Sequence, residues 1–274
     1  MRETLTVAAV QAYAEPGDIP GNTARAAALV SEAADAGAEL VVLPELFLSA
    51  YQLDLLALDP AGTDVTPQDA RLDPLRAVAR DRAAVVVIGA AVRRPDGSRT
   101  CSALVVDRAG EVRDAYAKQN LCGAQEQALF AAGTSGATLH LDGWRFGLGV
   151  CYDGCFPEHA RAATEDDVHG LLYPSAYVRG SEHRRDIYYP ARALDNTSYV
   201  VFANPVGGAE PWSFNGGAAI FDPEGRTLAK GPLDGDRVVT AVLTLEQLAF
   251  TRTGHPMVRD RPRDAGGARD RWDG

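Results

Sequence analysis

The chain has 274 residues, 46% of them apolar, which is enough to bury a large core within one αβ domain. A formal net charge of −10 excludes a basic nucleic-acid face and an acidic membrane surface as natural partners. Four cysteines in a chain of this size do not make a disulfide framework, and the start, Met1-Arg-Glu-Thr-Leu-Thr-Val, carries no apolar stretch of the about 7–15 residues found in signal peptides. The expectation is a cytoplasmic protein with free thiols and no membrane span.

In chain order, short β-branched runs alternate with helical patterns. Strands are predicted at Leu5–Val10, Leu40–Leu43, Ala84–Val92, Ala103–Asp107, Arg145–Cys151, Leu171–Tyr173, Tyr199–Ala203, Ala218–Phe221 and Val238–Leu243. A first helix is expected after Asn22 as N-cap, burying Ala26, Leu29, Val30 and Ala33 until Gly37 stops it. Further helices are expected near Gln68–Arg82, Pro157–Thr164 and Glu182–Asn196. Turn residues at Pro95-Asp-Gly-Ser98, Arg108-Ala-Gly110 and Asp222-Pro-Glu-Gly225 predict hairpins between them. The pattern suggests a two-layer sheet core with helices outside, one domain over 1–274 whose residues 253–274 form a C-terminal arm or a flexible tail.

Three of the apolar runs end on a reactive side chain. Leu40-Val-Val-Leu-Pro-Glu45 brings a carboxylate to the mouth of an apolar core, where desolvation raises its pKa toward the range of a general base. Val112-Arg-Asp-Ala-Tyr-Ala-Lys118 ends on one of only two lysines among 27 basic residues, and Glu126, eight residues on, can hold its ammonium; the other, Lys230, reads as a solvated loop residue. Trp144-Arg-Phe-Gly-Leu-Gly-Val-Cys151-Tyr-Asp-Gly-Cys-Phe-Pro157 has Val150 as its expected last strand residue and Cys151 on a sharp strand-to-helix turn. A helix N-terminus there would favour the thiolate, whereas a buried structural cysteine is the bland alternative. Together a thiol, a carboxylate and an amine make a kit for nucleophilic attack on an electrophilic carbon. Two other readings use the same stretch: Cys151, Cys155 and His159 as metal ligands on one helical face, against which Pro157 and the lack of a fourth ligand argue, and a Cys-His protease pair, which lacks an orienting partner.

Leu43-Pro-Glu45-Leu-Phe-Leu-Ser-Ala-Tyr51, Tyr116-Ala-Lys118 and Gly149-Val-Cys151-Tyr-Asp-Gly-Cys-Phe-Pro157-Glu resemble the three signatures of the nitrilase superfamily of carbon–nitrogen hydrolases. Arg192-Ala-Leu-Asp-Asn196, Tyr199-Val-Val-Phe-Ala-Asn204, Asn215-Gly-Gly, Asp222-Pro-Glu-Gly225 and Arg252-Thr-Gly-His-Pro-Met-Val-Arg-Asp-Arg261 continue the resemblance in order over nearly the whole chain. The resemblance implies an αββα sandwich, protomers associated through helical faces as a homodimer or higher oligomer, and a site without metal or cofactor. It implies Cys151 as nucleophile, Glu45 as general base, Lys118 as oxyanion partner, Glu126 as the group that positions Lys118, and the Tyr152 backbone N–H in the oxyanion hole. The implied reaction cleaves a small polar amide or carbamoyl compound through a thioester; a nitrile substrate, an amine as acyl acceptor, or a non-enzymatic binding role are the alternatives. Asn120 stands where the family often has histidine, Cys155 where arginine is frequent and Ala50 where glycine is common. For substrate binding, Tyr51 and Tyr177 are candidate pocket walls, and Arg179 or His183 is a candidate partner for a substrate carboxylate or carbonyl, unless Glu182–Arg185 is only a solvated helix turn.

Overall fold

The computed structural model describes residues 2–262 and residue 272. Its elements, in chain order, are β1 (Thr4–Gln11), α1 (Ile19–Asp35), β2 (Leu40–Val42), α2 (Leu53–Leu58), α3 (Pro60–Thr63), α4 (Asp73–Arg82), β3 (Val85–Arg93), β4 (Arg99–Val106), β5 (Val112–Ala117) and α5 (Gly123–Leu129). There follow β6 (Thr138–Leu141), β7 (Trp144–Leu148), α6 (Pro157–Ala163), β8 (Gly170–Pro174), α7 (Glu182–Asn196), β9 (Tyr199–Ala203), β10 (Val206–Gly207), β11 (Phe214–Asn215), β12 (Ala219–Phe221), β13 (Thr227–Lys230), β14 (Arg237–Thr244), α8 (Leu245–Gly254) and α9 (Met257–Asp260).

Two six-stranded sheets carry the fold, in the orders β14-β1-β2-β3-β4-β5 and β13-β12-β9-β8-β7-β6. Each has a parallel centre, β1-β2-β3 in one and β7-β8-β9 in the other, flanked by antiparallel strands. Period-2 alternation divides the first sheet cleanly. Ala8, Val10, Val41, Leu43, Val86 and Ile88 pack under α1 and α4, while Leu5, Val7, Leu40, Val42, Val85 and Val87 point to the second sheet. Parallel strands covered on both faces read as continuous apolar runs, which is why Leu40–Leu43 and Ala84–Val92 were visible as strands. With α6 and α7 on the far face of the second sheet, the layers are αββα, as expected.

Boundaries differ from the expectations in instructive places. Helix α1 starts at Ile19, capped by Asp18, whose side chain accepts from the Gly21 N–H. Asn22 is instead a buried staple: it exchanges hydrogen bonds with the Glu15 backbone and donates to the Leu48 carbonyl at 3.0 Å. Strand β7 ends at Leu148 rather than Val150. Strands β6 and β13 had no sequence signal, being short and at sheet edges, and Lys230 lies on β13 with its amine 2.9 Å from Asp186. Of the C-terminal segment, residues 253–262 lie against their own chain, Arg261 donating to the Asp195 carbonyl and Arg161 to that of Pro262. The rest of that segment, apart from residue 272, lies outside the described residues.

Candidate active site

Ligands of open α/β sheets gather at the carboxyl ends of the strands, and the reactive side chains lie there. Strand β2 runs into Pro44 and Glu45, whose N–H donates to the Ser175 carbonyl just past β8. Gly89 on β3 lets this turn close down. A Cβ at that position would lie 2.5 Å or less from the Leu46 nitrogen, the Glu45 Cα and the Pro44 carbonyl. The segment that follows is tightly wound, with φ of +49° at Leu46 and +58° at Ala50. That second angle gives a physical reason for a glycine preference at position 50.

Lys118 follows β5 and is fully buried between two carboxylates, its Nζ 2.6 Å from Glu45 Oε1 and 2.8 Å from Glu126 Oε1. Glu126, on α5, is held by the Cys122 N–H at 2.7 Å and by the Tyr51 hydroxyl at 2.5 Å. Burial works against the ammonium, but Glu45 and Glu126 outweigh it and keep the Lys118 pKa well above the ordinary lysine value. For Glu45 burial wins, and despite Lys118 its carboxyl is pushed up to about 7. One of its oxygens, Oε2, is buried and without a partner.

Cys151 stands on the opposite sheet, two residues beyond a register bond from the Gly149 N–H to Leu172. Its φ of +46° is a left-handed conformation costly for a residue with a Cβ. The Tyr189 hydroxyl holds its carbonyl at 2.9 Å. The thiol that donates to Glu45 Oε1, at 3.5 Å, is that of Cys101. Burial, reinforced by the Glu45 carboxylate, pushes the Cys151 thiol pKa well above the usual value, while the Ala176 N–H acts in the opposite direction and lowers it. The helix-terminus argument for a lowered pKa therefore loses to desolvation, and the thiol keeps its proton until a base removes it. The Tyr152 N–H opens the short 3-10 turn Cys151–Cys155, where first-turn donors have no intrahelical acceptor.

Asp153 had no signal in the sequence beyond lying two residues past the cysteine. It is fully buried and accepts from the Val150 N–H, the Tyr116 hydroxyl, and both the backbone and side-chain N–H of Asn120. It thereby ties the turn carrying Cys151 to the strand end carrying Lys118. His159 bonds to the Tyr116 and Tyr173 hydroxyls, and Cys155 to the Tyr177 hydroxyl. Among the described residues no group of three acidic, His or Cys side chains could hold a metal.

A cavity of about 240 Å³ opens at Glu45, walled by Tyr13, Phe47, Tyr51 and Phe214 with the exposed Glu210 on its lining. Tyr51 is one of its wall residues. Tyr177 is not; it packs against Tyr189 and Phe202 inside the second sheet's core. Arg179 and His183 do not line the cavity either. Arg179 pairs with Asp234 at the surface and His183 is exposed on the first turn of α7. Loop charge says little about direction: within the same stretch Arg185 is the buried one, donating to Asn215 and Gly216.

The arrangement combines a carboxylate able to take a thiol proton, a buried thiol whose pKa burial and that carboxylate raise, and a cation able to stabilise an oxyanion. Known proteins resemble this chain over most of its length. A hydrolase of the pqqF 5′ region from Pseudomonas protegens is 31% identical over 261 residues, covering 94% of this chain and 90% of that protein. The deaminated glutathione amidase of Escherichia coli O157:H7 is 32% identical over 86% of this chain and 89% of its own. An amidase from Nesterenkonia sp. AN1, solved with acrylamide, superposes with a TM-score of 0.81 at 28% identity over 94% of each chain. The carbon-nitrogen hydrolase family pattern matches residues 6–253, and the chain belongs to that family.

Proposed function

We propose that this hydrolase cleaves the C–N bond of small amides, with Cys151 as nucleophile, Glu45 as proton carrier, Lys118 and the Tyr152 N–H as oxyanion partners, and Glu126 holding Lys118. The observation that carries the reading is the fully buried Glu45–Lys118–Glu126 cluster, beside a buried Cys151 thiol whose pKa burial and the Glu45 carboxylate raise. Glu45 takes the thiol proton as sulfur bonds to the amide carbon. The oxyanion forms against Lys118, and as the C–N bond breaks the proton passes from Glu45 to the nitrogen, releasing ammonia or an amine. Water then gives a proton to Glu45 and its oxygen to the thioester carbon, and sulfur leaves and recovers the proton. Paired carboxylates explain why the base works beside a lysine: two acids around one ammonium leave room for one of them to be protonated.

The test is ammonia release from a panel of short amides, with mass spectrometry of the acid-quenched enzyme. Cys151→Ala must abolish turnover, and an acyl adduct must map to Cys151. Turnover by that variant, or an adduct elsewhere, would sink the assignment. Including nitriles, and hydroxylamine as competing acceptor, separates the neighbouring reactions.

We further propose a cytoplasmic enzyme of associated protomers. Among the described residues no helix is long and apolar enough to cross a membrane, and the four cysteines are free. Exposed Ile187 and Leu194 on α7 and Phe250 on α8 are the apolar surface a second copy would cover. Light scattering at micromolar concentration tests the association.

A further inference from the structure

We infer that the substrate is a short amide whose far end carries an ammonium group, and that the cavity selects against amides ending in a carboxylate. The inference rests on the amidase reading and adds the chemistry of the acyl end.

The cavity supplies no cation. Among the described residues that line it there is no lysine, arginine or histidine. Its charged members are the buried Glu45 and the exposed Glu210, and the Tyr13 hydroxyl on the wall donates to a further carboxylate, Glu15, at 3.1 Å. Three other cations of the fold are engaged elsewhere. Lys118 is held by two carboxylates, Arg179 pairs with Asp234 and Arg25 with Asp236. A substrate carboxylate would lose its hydration and face carboxylates of like charge.

An ammonium meets the opposite situation. Glu210 is an exposed carboxylate on the lining of the same cavity, and Tyr13, Phe47, Tyr51 and Phe214 add aromatic surface to its walls. At about 240 Å³ the space is below the about 300–1,000 Å³ of drug-sized pockets, so the acyl chain is a few carbons long. Because Glu45 and Glu210 line one cavity, a single short substrate can bring its amide to the first and its ammonium to the second.

Three nearly isosteric amides decide it: pentanamide, 5-aminopentanamide and 5-amino-5-oxopentanoate, compared by kcat/KM for ammonia release. The expected order is ammonium, then neutral, then carboxylate, with about tenfold or more between the ends, the scale of one partly screened charge pair. Glu210→Gln is expected to shrink the ammonium-to-carboxylate ratio several-fold, and Glu210→Arg to reverse it. A carboxylate amide turned over as fast as the ammonium amide, or a ratio unmoved by both variants, overturns the inference.

A second measurement does not depend on turnover. Alkylation of Cys151 by 2-bromoethylamine, iodoacetamide and iodoacetate is followed by peptide mass spectrometry, each rate divided by that of the same reagent with 2-mercaptoethanol. The corrected rates are expected to fall in that order, and equal corrected rates overturn the inference. Selective alkylation with no hydrolysis of any amide would instead uphold the cavity chemistry while sinking the amidase reading.

Discussion

Asn120 gives both its backbone N–H and its side-chain amide to one oxygen of Asp153, at 2.8 and 2.9 Å, while the other oxygen holds the Val150 N–H and the Tyr116 hydroxyl. This buried carboxylate fixes the turn before Cys151 to the residues after β5. Asp153→Ala leaves several buried donors unsatisfied, each worth about 1–3 kcal/mol. The expected loss is about 3–5 kcal/mol of stability and about a hundredfold in kcat, read by denaturant unfolding and steady-state kinetics. Asp153→Asn, which keeps one acceptor, should fall between.

Lys118 neutralises two buried acids, so Lys118→Met is expected to abolish turnover and to cost about 3–5 kcal/mol, the usual penalty for stranding a buried charge. The cost should be largest at pH 8 and shrink toward pH 5, where Glu45 escapes by protonation. Unfolding curves at the two pH values check this; equal losses would contradict the pairing.

Glu45 must be ionised to take the thiol proton, and its carboxyl sits at about 7 because of burial. The acid limb of kcat/KM against pH is therefore expected to bend near 7 and to fall tenfold per unit below it, instead of near the ordinary 4.5. Stability moves the other way. The fold holds this proton more tightly than the unfolded chain does, so the Glu45 contribution is fully present below 4.5 and is lost as pH rises through 7. Thermal unfolding of Glu45→Gln from pH 5 to 8 should lack that decline.

Ala50 adopts a φ of +58°, where a Cβ costs about 1–2 kcal/mol. Ala50→Gly recovers part of this after the entropy of a freer unfolded chain is subtracted, for an expected gain of about 0.5–1 kcal/mol and a rise of about 2 °C in Tm by calorimetry.

Sequence reading located Glu45, Lys118 and Cys151 because each ends an apolar run, and a buried strand followed by one reactive side chain is a local pattern. Asp153 escaped it, since its importance comes from Tyr116 and Asn120, over thirty positions earlier in the chain. The Cys151 thiol was misjudged for a related reason: a helix terminus is visible locally, whereas the layers that desolvate the sulfur come from elsewhere. Arg179 and Arg185 show the same limit on the surface, as residues six apart in one charged stretch take opposite fates, one exposed and one 1% accessible. Strands β6 and β13, four residues each at the sheet edges and partly exposed, are too short for a period-2 pattern to stand out from the flanking loops.

The base and the amine descend from one slab of the sandwich and the sulfur from the other, with no covalent link between them shorter than 33 residues of chain. On the proposed mechanism, catalysis is a caliper laid across the seam. Because a misplacement of about 1 Å can cost a hundredfold in rate, slippage between the slabs should silence the enzyme at denaturant concentrations where circular dichroism still records intact strands.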